Sequence, residues 1–434
     1  MTSNLTLDST ILIVGGGGTL GSSTALHLAR KWYCNIQILD VYPIPSTQSA
    51  GNDLNKIMGI NLRYMSPVDR QLSLEAEDLW TNDPTFAPYY HQTGQLECSG
   101  SDSTIEGLKT TFRKIQDSGL GDTVEWLDNE NEILKCMPQL SRSEIQGWKG
   151  LFYQRSGWLA ASKAITSVGR ELAQHGVQFI FGDSGTFESL ILSDDGKTCL
   201  GVLTKDGTRH LADRVILASG AWSPALVDLG DQCCSKGWPL AHIQLSPDEA
   251  KEFAGCPVVY NEDVGFFMEP DENGVLKICD EFPGFTRYKM RQPFGASQPK
   301  KISVPRSHAR HPTDTYPDIS EITIRKAITT FLPKFKEKEL FNRTLCWCTD
   351  TPDAKLLICE DPRWKNFFLA TGDSGHSFKL LPTVGKHIVE LLEGTLQQEL
   401  LEAWRWRPGS GDALQSRRAA PAKDLADLPG WKHD

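Results

Sequence analysis

The stretch from Thr10 to Asp40, TILIVGGGGTLGSSTALHLARKWYCNIQILD, sets out a strand, a glycine-rich turn, a helix and a second strand ending in an acid. Ile11 to Val14 is a continuous apolar run, as expected of a parallel strand covered on both faces. Gly16, Gly18 and Gly21 fall in the G-x-G-x-x-G register. That spacing lets the chain turn tightly, bring its backbone against a pyrophosphate and pack helix on strand. The following helix, with Thr19 and Leu20 in its first turn, aims unpaired N–H groups and the positive end of its dipole at the phosphates. Asp40 closes the next strand, roughly 20 residues after the glycines, where an acid accepts hydrogen bonds from ribose hydroxyls. Glycine-rich turns also occur in α/β proteins that bind no nucleotide, so the reading rests on strand, helix and acid together. It does not separate NAD from FAD.

A chain of 434 residues is long for one core, and two domains are expected. The net charge of -10 opposes binding to nucleic acid or an anionic membrane, both of which need a basic surface. The eleven cysteines are scattered, and with no charged-apolar-small leader the expected setting is a reducing interior compartment without a disulfide framework. No apolar run approaches the roughly 18 residues of a membrane span. The chain closes on Trp431-Lys432-His433-Asp434, not a peroxisomal S-K-L type signal. The prediction is therefore cytoplasmic.

After the fingerprint, Pro43, Pro45 and SAGND (Ser49 to Asp53) lead into a region read as less regular up to Gly157. Ala161, Ile165, Val168 and Leu172 then mark one helix face, stopped by Gly176, and Val177 to Phe181 reads as a strand. Three short strands follow, with Asp195-Gly196 and Asp206-Gly207 at the turns, the mark of a tight meander. Val215 to Ala218 is another buried strand. A nicotinamide dehydrogenase usually continues its βαβ alternation, so the interrupting meander favours FAD.

From Ser223 to Asn342 the pattern changes, with a hairpin signal at Asp271 to Gly274, and an antiparallel second domain is expected. Pro293, Pro299, Pro305, Pro312 and Pro317 stud a polar, basic stretch read as a long surface loop or lid without regular structure. Its His308 and His311 read as solvated loop residues rather than metal ligands. Ile319 to Phe331 reads as a helix. Phe367 to Ala370 reads as a strand, followed by the turn Thr371 to Phe378 and a helix from Pro382 to Leu392. In an FAD fold such a helix start can face the flavin end where negative charge develops on reduction.

Three groups of residues could carry chemistry. In LKICDEF the strand period places Lys277, Cys279 and Glu281 on one face and Asp280 on the other. This is either a pocket wall or a surface ion-pair ladder. Cys346-Trp347-Cys348 puts two thiols on one strand face, without the further ligands a metal needs; a buried pair of small side chains is the plainer alternative. Lys379 is a cation beside the second glycine turn, or a surface charge flanking a helix.

Together, GGGGTLGSSTALHLAR (Gly15 to Arg30), SAGNDLNKIMG (Ser49 to Gly59), GFFMEPDENGVLKICDE (Gly265 to Glu281), LCWCTDTPDAKLLIC (Leu345 to Cys359) and the stretch Ala370 to Gly394 closely resemble fungal fructosyl amino acid and fructosyl peptide oxidases. These amadoriases belong with the sarcosine-oxidase-like flavoenzymes, and the resemblance spans essentially the whole chain. It implies FAD bound covalently through Cys346, with Cys348 packed beside it. Lys277 is implied to sit over the flavin and promote reaction with O2. Glu281 matches an acidic substrate residue, and Lys379 and Lys56 match lysines beside the flavin. Asn61-Leu62-Arg63 is implied to border the substrate entrance, with Asn61 and Arg63 as substrate contacts. An arginine of the C-terminal segment, Arg417 or Arg418, is implied to bind the substrate carboxylate.

The expected cofactor contacts are thus Gly16, Gly18, Thr19, Leu20, Gly21, Asp40, Ser49, Lys56, Cys346, Asp373, Gly375 and Lys379, and no metal is expected. The expected class is α/β: a Rossmann-type FAD-binding domain with a β-meander (1–57, 157–225 and 343–400) and an α+β substrate domain on a mainly antiparallel sheet (58–156 and 226–342). A tail, 401–434, is expected near the substrate site. The implied reaction oxidises the C–N bond of a fructosyl amino acid or short fructosyl peptide with O2, giving glucosone, free amino acid or peptide and H2O2. The protein is expected to act as a monomer with no nucleic-acid or membrane partner. A sarcosine or N-methyl amino acid oxidase on the same fold is the nearer alternative; a non-catalytic NAD(P)-binding redox sensor is the more distant one.

Overall fold

The computed structural model of the chain describes residues 5–59, 66–280, 284–409, 421–429 and 431. Its first sheet has six strands in the order Leu357–Glu360, Phe367–Thr371, Arg214–Leu217, Thr10–Val14, Asn35–Leu39 and Gln178–Ile180. All pairs are parallel except the first. The continuous apolar run of the first strand is explained by its two faces. Ile11 and Ile13 enter a core with helices Thr19–Arg30, Ala161–Gln174 and Val384–Glu393, while Leu12 and Val14 enter another with Phe187, Leu190 and Val202 of the meander. The meander strands Phe187–Leu192, Cys199–Thr204 and Arg209–Leu211 form their own antiparallel sheet.

The second sheet has ten strands and is mainly antiparallel. Its central strand, Cys234–Gln244, pairs with Val275–Cys279 on one edge and with Phe341–Asp350 along most of its length on the other. Helix Asp318–Phe331 covers this sheet, burying Ile324, Ala327, Ile328 and Phe331 against Ile243, Phe267 and Ile278. A small sheet of Lys56–Met58, Gly157–Leu159 and Tyr90–His91 completes the cavity region. The α/β class, the meander and the antiparallel second sheet are as the sequence implies.

Four details differ. The region before Gly157 is regular: it holds helices Pro67–Asn82 and Asp102–Asp117. The first is opened by a reciprocal capping box between Ser66 and Asp69, with proline at its first position, which satisfies amide groups the helix start leaves unpaired. The boundary expected at residue 343 falls inside strand Phe341–Asp350 of the antiparallel sheet, and the parallel sheet resumes only at Leu357. The proline-studded stretch is not devoid of structure, because Lys300–Ser303 pairs with Tyr288–Arg291 between its prolines. The second glycine turn leads into a short 3-10 turn, Phe378–Leu380, before the helix starts at Val384. That helix start packs on the first helix, with Gly385 N–H donating to Ser23 Oγ at 2.8 Å. A Cβ on Gly385 would lie 2.1 Å from the Ser23 carbonyl oxygen, a backbone contact with no room to yield. Gly385→Ala is therefore expected to cost about 1–3 kcal/mol through overpacking, read as a lower thermal midpoint at fixed scan rate.

Candidate active site

The turn after the first strand is built on Gly15, whose φ of +85° suits glycine, and on Gly21, where a Cβ would sit 2.6 Å from Gly16 Cα. Gly16 and Gly21 thus close the turn from behind, while Gly18, Thr19, Leu20, Asp40 and Ser49 line a cavity of about 240 Å³. Asp40 is buried at its rim and accepts from Gly17 N–H at 3.0 Å, Tyr42 N–H at 3.2 Å and the Ser46 hydroxyl at 2.7 Å. Burial pushes its pKa up and these donors oppose that shift. Asp373 and Gly375 of the second glycine turn line the same cavity, and so does Arg310 of the proline-rich stretch. No local pattern distinguishes Arg310 from the basic residues around it.

A second cavity of about 330 Å³ adjoins the first, sharing Lys56, Cys348, Gly375 and Phe378 as wall. Strand pairing decides what faces it. Trp238 and His242 lie four residues apart on the central strand and so share one face; Trp238 stands opposite Cys346 and His242 opposite Lys277. One face of the sheet thereby presents both the thiol and the lysine. Asp280 borders the cavity as well, contrary to strict alternation, because the strand ends at Cys279. Beyond it Asp280 is held by Thr323 Oγ1 at 2.7 Å. The 3-10 turn, not the following helix, brings Lys379 to this cavity, where its Nζ donates to the Gly59 carbonyl at 3.0 Å.

The charged centre of the site is buried. Asp53 Oδ2 accepts from Lys277 Nζ at 2.5 Å and Lys56 Nζ at 2.6 Å. Burial alone would raise the Asp53 pKa, but the two ammonium charges overcome it and hold the carboxyl well below its usual range. Burial likewise works against the Lys56 charge, and Asp53 outweighs it, raising that pKa. Lys56 Nζ also lies 3.4 Å from Cys346 Sγ. A hydrogen bond from Cys348 and the Lys56 charge lower the Cys346 pKa against the effect of burial, while that bond and burial push Cys348 up. His242 is held neutral, its pKa pushed down to about 4 by burial and by the charge of Lys277. No local pattern assigns a role to Asp53, Asn55 or His242, although the segment Ser49 to Gly59 contains the first two.

Glu281, Asn61, Arg63, Arg417 and Arg418 lie outside the described residues. Gly59 and Asp280, which adjoin two of these segments, border the larger cavity.

The residues present fit a flavin dinucleotide on two observations. Backbone approaches so tightly at the glycine turn that side chains are excluded there, as a diphosphate cradle requires. The Asn55 amide, fully buried at the larger cavity, has no partner for either its nitrogen or its oxygen among the described residues, a cost that a polar ligand would relieve. A dinucleotide slot opening onto a second, charged cavity defines the class: a flavin-dependent oxidoreductase.

Sequence comparison agrees, and the chain belongs to the FAD dependent oxidoreductase family, whose profile matches residues 10–391. Among solved structures it is similar to the fructosyl peptide oxidase from E. terrenum, with 62% identity, 99% of each chain covered and a TM-score of 0.96. Amadoriase I, a fructosyl amine:oxygen oxidoreductase from Aspergillus fumigatus, is 33% identical at a TM-score of 0.88, covering 99% of this chain and 98% of that one. The L-saccharopine oxidase of Schizosaccharomyces pombe is 32% identical, covering 92% of this chain and 94% of its own.

Asp373 gives the site a testable pH dependence. Burial raises its pKa to about 7, against the N–H of Thr349. Between the ordinary carboxyl range and that value the unfolded chain has released this proton and the folded chain has kept it. Stability therefore falls as pH rises through this window. Asp373→Asn is expected to remove this loss, on the order of 4 kcal/mol over the whole window, so that its thermal midpoint drops less than that of the wild type between pH 5 and pH 8.

Proposed function

We propose that the chain is an oxidase of Amadori compounds, acting on fructosyl amino acids or short fructosyl peptides and yielding glucosone, the free amine and H2O2. The observation that carries this reading is the 62% identity, over essentially the full length, to a fructosyl peptide oxidase. The nearer alternative, a sarcosine or N-methyl amino acid oxidase, has no comparable support at that level. When bound, FAD supplies the two-electron acceptor for the substrate C–N bond and the route of those electrons to O2.

The chain's own residues bind, orient and polarise. The glycine turn and Asp40 hold the adenine-dinucleotide end, and Cys346 is the attachment point. Its half-buried sulfur, beside the Lys56 ammonium and bonded by Cys348, is biased toward the thiolate, the nucleophilic form. Lys277 fixes a positive charge at the cavity wall, where negative charge develops on oxygen as it accepts electrons. Gln95, Glu97 and Glu262 also line this cavity, and their side-chain oxygens are of the acceptor type that binds the hydroxyls of a sugar. Glu281, Asn61, Arg63 and Arg417 or Arg418 complete the substrate contacts in this reading.

The division of labour follows the sheets: dinucleotide binding on the parallel sheet and meander, substrate on the antiparallel sheet. We further assign the protein to the cytoplasm as a monomer. None of the eleven cysteines is joined in a disulfide, which suits a reducing compartment, and among the described residues no helix is long and apolar enough to cross a membrane.

Peroxide release is the direct test. Fructosyl-valine and fructosyl dipeptides are expected to give turnover and sarcosine at most a trace; the reverse order would establish the alternative. For the attachment, acid precipitation of the wild type should leave the flavin in a yellow pellet, whereas Cys346→Ala should release all of it to the supernatant. A colourless wild-type pellet would sink the covalent link.

A further inference from the structure

Asp53 has no role in the reaction as described, yet it is the hub of the charged centre. Its side chain is only 8% exposed, and one oxygen, Oδ2, accepts from both Lys277 and Lys56. The other, Oδ1, is bonded by Leu54 N–H at 2.7 Å, and Ser162 N–H anchors the Asp53 carbonyl at 3.0 Å, so the carboxylate is fixed in place. Because both ammonium nitrogens touch one oxygen, they lie no more than about 5 Å apart, in surroundings where water screens little. Like charges that close disfavour one another's protonation unless an opposite charge sits between them. Among the described residues no other carboxylate forms an ion pair with either lysine.

The two lysines face different tasks. Lys277 is further held by the Asn55 carbonyl at 2.9 Å and stands opposite His242, whereas Lys56 touches Cys346. We propose that Asp53 is a positioning residue that joins Lys56 and Lys277 into one charge unit, so that the ammonium at the attachment thiol and the ammonium on the oxygen side of the cavity keep their charges together. This rests on the flavin-oxidase reading and adds to it a coupling between two of its parts.

The other titratable groups around the pair are His242 on the central strand, Cys279 on the strand of Lys277, Cys346 and Cys348 on the strand beyond, Lys379 and Asp373 around the second glycine turn, and Glu97, Glu262 and Asp280 on the cavity wall. His242 is neutral throughout the useful range. Asp373 titrates in wild type and variant alike, so the difference between their profiles is what is read.

The test titrates the holoenzyme from about pH 6 to 10, a range bracketing a displaced lysine. The visible spectrum of the bound flavin is followed without substrate, alongside the rate at which substrate-reduced enzyme is reoxidised by O2. Asp53→Asn is expected to add one spectral transition absent from the wild type. Above that transition, reoxidation should fall by about tenfold per pH unit. Adding Lys56→Met, which removes one of the two like charges, should abolish the new transition. An Asp53→Asn enzyme that is uniformly slower at every pH, with no new transition, overturns the proposal, as does a transition that persists in the double variant. If Asp53→Asn takes up no flavin, the flavin content of Asp53→Asn combined with Lys277→Met, which removes one like charge and leaves Lys56 beside Cys346, decides: recovery supports the coupling, and no recovery overturns it. The spectral measurement uses no substrate, so it stands if the substrate assignment fails, and its own failure leaves that assignment untouched.

Discussion

Strand Cys234–Gln244 is hydrogen-bonded on both edges, and that double pairing decides which side chains meet at the site. A strand alternates its side chains, so residues an even number apart share a face, and directly cross-strand neighbours share it too. With Cys346 opposite Trp238 and Lys277 opposite His242, thiol and lysine are delivered to one cavity from segments about 70 residues apart in the chain. A slip of one residue in either pairing would turn its functional side chain to the other face of the sheet. The long ladder between Cys234–Gln244 and Phe341–Asp350, in constant register from Cys234↔Asp350 to Leu240↔Thr344 before a shift ahead of His242↔Phe341, makes such a slip costly around Cys346.

That geometry forces charge into a poorly solvated place. Burying an ion costs several kcal/mol unless partners and hydrogen bonds compensate, and the site balances two ammonium groups with one carboxylate at its centre. The remaining polar groups are treated differently. His242 is neutral and cannot add a third positive charge, while the Asn55 amide keeps its hydrogen-bonding capacity for a ligand. The result is two ammonium groups held by fixed partners at the cavity wall before substrate or oxygen arrives, which is the condition under which fixed charges act most strongly on a reaction.

Much of this was legible in the sequence wherever the signal was local. The glycine turn with its flanking strand, helix and acid carries its own spacing, and the meander announces itself through Asp-Gly turns between short apolar runs. Lys277 and Cys279 were correctly placed on one strand face. Helix Pro67–Asn82 also had a local signal, the Ser66-Pro67-x-Asp69 capping pattern, but it was passed over inside a stretch read as irregular. What stayed hidden depended on distance. That the Cys346 strand lies in the antiparallel sheet follows from pairing with a segment about 110 residues upstream, and no local pattern encodes a partner. Asp53 shows the same limit: its lysines come from three and 224 positions away, so the motif around it could be quoted without revealing what its carboxylate does.

The arrangement separates what must stay fixed from what can vary. Lys56, Lys277 and Cys346 all project from strands locked by ladders on the cavity side, and scaffolds of that kind hold reacting groups more precisely than loops do. Asp280, just past the end of its strand, and Gly59, just past the end of another, mark where the same cavity passes from sheet to connecting segments. Connections tolerate substitution because few ladder bonds depend on them. Changes in such connections therefore disturb the placement of lysine, carboxylate and thiol less than changes within the strands. A fold built this way can retune which amine it admits while keeping one oxidative centre, because recognition and charge placement draw on different parts of the backbone.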